Sequence, residues 1–249
     1  MEILVSIITP CYNSSKFIAQ TYNSINNQTC LNWEWIIVDD CSNDDSANII
    51  QNFKDDRIKL VINEKNLGAA ESRNKALRLA EGRYITFIDS DDLWENDFLA
   101  KSVNFLKTNN EELVYASYKR VDEDLEPLLD DFKAIDKVDS KRILFNCPIP
   151  MLTSMYDSKR IGKVFFPDVE LREDHAMWIE LLKKIKHARA IDESLGIYRM
   201  RDNSVSRNKI KIAKMQFNLY FKYLKMNIFK SVYYTLYWGF NGLKKYGKL

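Results

Sequence analysis

The stretch Ile85 to Trp94, ITFIDSDDLW, begins as an apolar run and then places three carboxylates, Asp89, Asp91 and Asp92, in four positions. Strands are depleted in Asp, and crowded like charges make each one harder to ionise. An acidic cluster at the end of a core strand therefore calls for a compensating partner. A hard divalent cation fits that need. Mg²⁺ or Mn²⁺ takes oxygen ligands, retains waters, and often uses one or two protein carboxylates plus substrate phosphates. The purely structural alternative is that Asp91 or Asp92 caps a helix starting near Leu93.

Upstream of this stretch, strands and helices alternate. Ile3 to Ile8 is a continuous apolar run ending at Thr9-Pro10, the pattern of a buried parallel strand. Ser14 or Ser15 is placed to cap a helix carrying Phe17, Ile18, Tyr22 and Ile25. Trp33 to Val38 is a second strand, stopped by Asp39-Asp40. Cap candidates at Ser42 to Asp45 precede a helix through Ile49, Ile50 and Phe53. Ile58 to Ile62 reads as a third strand, Ala69 to Ala80 as a helix closed by Gly82, and Tyr84 to Ile88 as a fourth strand that delivers the acids. This order predicts an α/β fold, a Rossmann-like, mostly parallel sheet flanked by helices. Ligands of such sheets bind beyond the carboxyl ends of the strands. Three polar segments sit at those ends: Pro10-Cys11-Tyr12-Asn13, Asp39-Asp40, and Asp89 to Asp92. Two acidic strand ends together favour a nucleotide-metal site over simple capping.

Beyond Trp94 the pattern loosens. Asp97 to Lys107 predicts a helix, Leu113 to Val121 a strand, Asp122 to Asp139 a charged loop, Ser140 to Phe145 a short helix, and Thr153 to Tyr156 a strand. Glu173 to Ile185 is amphipathic, and Leu195 to Met200 reads as a strand ending in basic residues.

The chain has 249 residues, 46% apolar and 29% charged, enough for one large domain. Its net charge of +2 hides an asymmetry. From Arg207 onward there are ten Lys/Arg and no Asp or Glu. Four separated cysteines, without a CxxC pair, and two histidines argue against a zinc site or a disulfide framework. The N-terminal run has no basic flank and reads as a strand, not a signal peptide, and no apolar window is long enough for a membrane span. No GxGxxG follows the first strand, and neither a GxxxxGK[ST] loop nor a GxSxG elbow occurs.

VSIITPCYN, IIVDDCSNDDS, NLGAAESRN, AEGRYITFIDSDDLW and LREDHAMWIELL occur in this order. Together they resemble the family 2 glycosyltransferases of the GT-A fold, inverting enzymes of the bacterial surface-polysaccharide type. The resemblance implies a GT-A domain over residues 1–206, with a nucleotide-sugar half (1–100) and an acceptor half (101–206). A basic, aromatic helical extension follows over 207–249. It implies that Pro10, Tyr12 and Asn13 line the nucleotide pocket, with Tyr12 against the base. Asp39 and Asp40 form the acid pair at that pocket, Asp40 accepting from uracil, and Arg73 approaches the diphosphate. Asp91 binds the divalent cation, Mn²⁺ or Mg²⁺, with Asp89 near the ribose and the metal waters. Asp92 is the alternative ligand. Asp174 is the general base that takes the proton of the acceptor hydroxyl, while His175 stands beside it. The family pattern YRxHxxSxS departs here to Tyr198-Arg199-Met200-Arg201-Asp202-Asn203-Ser204-Val205-Ser206. Arg201 replaces the histidine; Arg cannot ligate a metal but can fork onto phosphate.

The implied partners are a nucleotide-sugar donor, UDP-linked, and a glycan or lipid-linked glycan acceptor. The implied location is cytoplasmic, peripheral on the inner face of the membrane. A metal-dependent nucleotidyltransferase and a nucleic-acid-binding protein using the basic tail are alternatives, though no nucleic-acid motif supports the second. In the tail, Phe217, Tyr220, Phe221, Leu224 and Ile228 recur at helical spacing beside Lys211, Lys214, Lys222 and Lys225. This predicts one helix that docks on an anionic membrane surface, the alternatives being closing helices packed on the catalytic domain or a dimer interface.

Overall fold

The computed structural model describes residues 4–201 and 209–245. Four strands form the parallel core of the sheet: β1 (Val5–Cys11), β2 (Trp33–Asp39), β3 (Ile58–Ile62) and β4 (Tyr84–Phe87). They alternate with α1 (Ile18–Asn26), α2 (Ser46–Gln51) and α3 (Ala69–Leu79). The remaining strands are β5 (Leu93–Trp94), β6 (Leu113–Val121), β7 (Pro127–Phe132), β8 (Lys137–Val138), β9 (Met155–Asp157) and β10 (Ala188–Arg199). The sheet runs β3-β2-β1-β4-β9-β6-β10-β5, with β7 on β6 and β8 on β10. β9 runs against both β4 and β6, so β6 and β10 share the direction of the first four strands. The remaining helices are α4 (Phe98–Thr108), α5 (Ser158–Ile161), α6 (Glu173–Leu182), α7 (Lys209–Asn218) and α8 (Ile228–Lys245).

Side-chain alternation explains the layers. In β2, Trp33, Trp35 and Ile37 join the core built with α1 and α4, while Ile36 and Val38 join the core built with α3 and α6. A sheet apolar on both faces needs helices on both, and this one has them.

Several elements differ from the sequence reading. β1 continues through Pro10 to Cys11. Ile8 O accepts from Ile88 N on the β4 side and Cys11 O from Asp40 N on the β2 side, so Pro10 faces the side where β4 has ended. Its missing N–H is not needed there. The Ser14 hydroxyl does not cap α1; it bonds to Ser90 Oγ at 2.6 Å. Gly82 lies beyond the end of α3 and is there for contact. A Cβ on it would sit 2.5 Å from Ser6 N. Leu93 and Trp94 form a strand, not a helix start. The charged segment from Asp122 to Asp139, expected as a loop, contains β7 and β8; β7 exposes its first four positions, Leu128 and Leu129 among them, so no alternation marks it as a strand. β10 is twelve residues long and its register breaks twice between Ile191 and Gly196, hiding its first half. The short helix near Ser140 is a 3-10 turn, Arg142–Leu144.

The tail departs most. It is two helices joined by a π-helical turn, Leu219–Tyr223, with Lys225 at a φ of 53°. Gln216, Leu219 and Tyr220 are fully buried. Tyr220 donates to Leu144 O at 2.7 Å, and Tyr223 donates to Glu180 Oε1 at 3.1 Å. The first part of the tail therefore packs on the domain, and the docking of that part on a membrane is withdrawn. The proposed boundary at 206/207 lies outside the described residues.

Leu219 sits in the same core as α6. Leu219→Ala is expected to cost ~2–5 kcal/mol in urea denaturation. A cost within error of zero would mean that the tail does not complete the core.

Candidate functional site

The first two loops at the carboxyl end of the sheet are tied together. Asp39 is buried, and its two oxygens accept from Ser42 N at 2.9 Å and Ser42 Oγ at 2.6 Å. Ser42 Oγ in turn accepts from Asn13 N at 3.0 Å, and Asn13 Oδ1 accepts from Asn43 N at 2.8 Å. Asn13 has a φ of 50°, a left-handed conformation that Asn tolerates. Asp40 Oδ1 accepts from Asn63 Nδ2 and Leu67 N, both at 2.8 Å, and Oδ2 from Gly68 N at 2.7 Å. Asp40 thus fixes the start of α3 and retains acceptor capacity at Oδ2, which takes one of these three bonds. Tyr12 is 45% exposed and so is not a core residue. Pro10 is part-exposed beside it, whereas Cys11 is buried. Burial and nearby Asp39 push the Cys11 thiol up to about 12, so it is inert.

The end of β4 is built on arginines. Arg73, buried on α3, donates from Nη2 to Asp89 Oδ1 at 2.5 Å. Its guanidinium lies 5.4 Å from the Phe166 ring. The adjacent Asn74 clamps that loop, donating to Phe166 O at 2.9 Å and accepting from Phe166 N at 2.7 Å. Burial opposes the Arg73 charge, but Asp89, Glu173 and Asp174 outweigh it and raise its pKa. Arg73 Nε is buried with no hydrogen-bond partner among the described residues. Asp91 Oδ2 pairs with Arg201 Nε at 2.8 Å. Asp92 is nearly inaccessible, and its Oδ1 accepts from Arg199 N at 2.9 Å. Burial raises the pKa of Asp91, and Asp89 adds to it; burial raises Asp92 well above the usual range, with Asp91 and Asp89 adding.

At the start of α6, Glu173 and Asp174 occupy the first turn, where the helix dipole favours carboxylates. Burial raises the Glu173 pKa, and Asp174 reinforces it. His175 is a different kind of residue. It is fully buried, with Nε2 2.7 Å from Ile143 O and Nδ1 3.2 Å from Gln216 Nε2. A carbonyl can only accept, so Nε2 carries the proton and Nδ1 accepts from Gln216. Burial and Arg172 lower its pKa to about 4. It anchors α6 to α7 and cannot replace Asp174 as base.

The structure therefore brings Arg73, Asp89, Glu173 and Asp174 within electrostatic reach, with Asp91 and Arg201 beside them. The rest of the YRxHxxSxS segment, from Asp202 to Ser206, lies outside the described residues. Sequence reading assigned no role in the site to Ser42, Asn63, Asn74, Ser90 and Arg199; all but Asn63 lie inside the quoted motif segments, which mark their positions but not their contacts.

The donor set suits a hard cation: Asp89 and Asp91 offer neighbouring carboxylate oxygens, and burial, with the Asp89 charge beside it, disfavours the ionised form of Asp91. No group of three or more His, Cys, Asp or Glu forms a protein-only metal cage among the described residues. A site sharing its ion with substrate phosphates needs no such cage.

The Glycosyl transferase family 2 model matches residues 6–151, and the chain belongs to that family; it is a glycosyltransferase. A Bacillus subtilis (strain 168) protein named "Putative teichuronic acid biosynthesis glycosyltransferase TuaG" is 38% identical over 97% of this chain and 97% of its own. The Escherichia coli UDP-Glc:alpha-D-GlcNAc-diphosphoundecaprenol beta-1,3-glucosyltransferase WfgD is 34% identical over 98% of this chain and 96% of its own. S. aureus TarS 1-349 in complex with UDP-GlcNAc superposes with a TM-score of 0.72 at 21% identity, covering 92% of this chain and 69% of that one. The Pyrobaculum calidifontis mannosyltransferase PcManGT in complex with GDP-Man and Mn2+ gives 0.68 at 17% identity, covering 93% and 69%. These two likenesses establish the GT-A fold. Family membership selects the glycosyltransferase over the nucleotidyltransferase alternative.

Asp92→Asn is expected to stabilise the fold at neutral pH, because Asn keeps the acceptor for Arg199 N. The folded pKa of Asp92 is raised, so the unfolded chain loses this proton first, near the ordinary 3.8. Wild-type stability then falls as pH rises from there through the folded pKa. The gain from the substitution should grow with pH and vanish below the unfolded pKa. Parallel denaturation curves across pH check it; a constant gap would contradict the burial argument.

Proposed function

We propose that the chain is an inverting glycosyltransferase that moves a sugar from a UDP-linked donor to a hydroxyl of a lipid-linked glycan in surface-polysaccharide synthesis. The observation that carries it is the arrangement around Arg73, which pairs with Asp89 of the donor side while Glu173 and Asp174 act on its charge. One buried guanidinium thus joins the diphosphate position to the candidate base. The relatives' names, a UDP-Glc-dependent enzyme acting on a diphosphoundecaprenol-linked sugar and a teichuronic acid enzyme, support the donor and acceptor classes.

In this reading Tyr12, exposed at the pocket, stacks on the base, and Asp40 accepts from the uracil N–H through the remaining capacity at Oδ2. Asp39 and Asn13 hold that wall in shape. Pro10 lines it. Arg73 and Arg201 turn to the diphosphate, where the Arg fork suits phosphate oxygens. Asp91, with Asp89, would hold Mn²⁺ or Mg²⁺, which when bound supplies Lewis-acid charge at the leaving diphosphate. Asp91 suits this better than Asp92, because its side chain is 14% exposed while Asp92 is closed in behind β10. Asp174 accepts the acceptor hydroxyl's proton as the oxygen attacks the anomeric carbon from the face opposite the diphosphate. The new C–O bond forms, the bond to the phosphate oxygen breaks with its electron pair, and a nucleoside diphosphate leaves. Attack opposite the leaving group inverts the anomeric centre.

Asp174→Asn is expected to lower turnover about 10²- to 10⁴-fold while UDP affinity by calorimetry stays near wild type. Collapse of UDP affinity would move Asp174 to the donor site. Transfer should also require a divalent ion and be largely lost in Asp91→Asn with the fold intact. Full activity in EDTA, scored across several UDP-sugars, would remove the metal from the reading.

A further inference from the structure

The outer face of α8 is the largest feature that the catalytic reading does not use. Ser231 is buried on the inner side, and Tyr234 packs on Phe145 and Tyr220 with ring centroids 5.2 and 5.6 Å apart. Trp238 lies on that same inner side, under the Arg172 guanidinium at 5.3 Å. Opposite them Phe229 is 83% exposed, Leu236 70% and Val232 43%, with Tyr233 at the edge, its ring 6.4 Å from Phe145. At 3.6 residues per turn the first three fall within an arc of roughly 60°. A monomeric soluble protein seldom leaves so many large apolar side chains aligned on one face.

We propose that this face of α8 seats in the interface of an anionic lipid surface. Three observations favour lipid as the occupant. First, exposed Lys222 and Lys225 precede α8 in the chain and exposed Lys230 is in its first turn, within a segment that carries ten basic residues and no acid from Arg207 onward. Apolar side chains entering the acyl boundary while lysines reach anionic headgroups is the arrangement of a helix lying in the membrane plane. Second, no helix among the described residues is long and apolar enough to cross a membrane, so a lipid contact of α8 would run along the surface. Third, a symmetric pairing of two copies through this face would bring two basic, acid-free strips together, which their charge opposes.

The seat has a direction. Trp238 contacts Arg172, the residue immediately before Glu173 and Asp174. That contact sets α8 beside the start of α6, so a membrane seated under α8 would be held by an element that touches the residue preceding Glu173 and the candidate base. The inference rests in this last respect on the lipid-linked acceptor proposed above.

The test uses the full chain in co-sedimentation with phosphatidylglycerol/phosphatidylcholine vesicles and with phosphatidylcholine alone, at low salt. Wild type should partition to the anionic vesicles. The double variant Phe229→Ser, Leu236→Ser should lose about tenfold or more of that partition, with unchanged circular dichroism and sedimentation coefficient. Retention of wild type in the supernatant, or equal binding to neutral vesicles, would overturn the proposal. So would a wild-type dimer that the double variant converts to monomer, because a second copy would then be the occupant. UDP affinity, measured on the same samples, tests the donor reading separately, since neither Phe229 nor Leu236 belongs to the site.

Discussion

Three carboxylates within four residues at the end of β4 have to be held by something, and the fold is arranged around what holds them. Arg73 reaches Asp89 from α3, Arg201 reaches Asp91 from beyond β10, and the backbone N–H of Arg199 reaches Asp92 from β10 itself. Each contact crosses from one part of the chain to another. The first ties β4 to the helix before it. The other two tie that turn to β10 and the residues just beyond it. A single acidic turn is therefore both the candidate donor site and a seam of the domain, and its contacts only partly offset the burial that raises the pKa of Asp91 and Asp92.

That arrangement bears on how donor binding would proceed. The arginines now paired with Asp89 and Asp91 are the groups that the proposed function assigns to the diphosphate. The carboxylates they occupy are the groups assigned to the cation. Arrival of a cation and a diphosphate together would permit an exchange of partners, with Arg73 and Arg201 turning to phosphate and Asp89 and Asp91 holding the cation. Such an exchange would keep the charged groups compensated. Either ligand alone leaves one set of groups without a partner, a physical reason for the two to bind cooperatively.

The parts of this design that were legible in the sequence are those with a local cause. Apolar runs stopped by acids gave the parallel strands, and the motif order gave the position of Asp89, Asp91, Arg73 and Asp174. What stayed illegible was set by tertiary contact. Asp39 and Asp40 look alike as neighbours, yet one closes a loop on Ser42 while the other pins the start of α3. Asp92 looks as available as Asp91 and is closed in behind β10. Glu173, Asp174 and His175 are consecutive, but the turn of the helix sends His175 into the core, where Gln216 of α7 completes its bonds. β7, β8 and the first half of β10 escaped because edge exposure and broken register disguise the alternation that marks a strand.

The tail shows the same limit at larger scale. Helical periodicity reports an apolar stripe, but not what the stripe faces. Read as one helix, residues after Arg207 gave a single amphipathic surface. The π-helical turn and the left-handed Lys225 break that helix, so two stripes of similar composition acquire different partners. The first stripe fills the core beneath α6, and Gln216 there donates to Nδ1 of His175, whose tautomer Ile143 O sets, one residue beyond the candidate base. The second is held on its inner side by Phe145, Tyr220 and Arg172 and leaves its outer side to solvent. Because both stripes touch the start of α6, one from inside and one from its flank, the tail sets where the acidic end of that helix stands. A segment with no catalytic motif is thereby placed to fix the surroundings of Glu173 and Asp174.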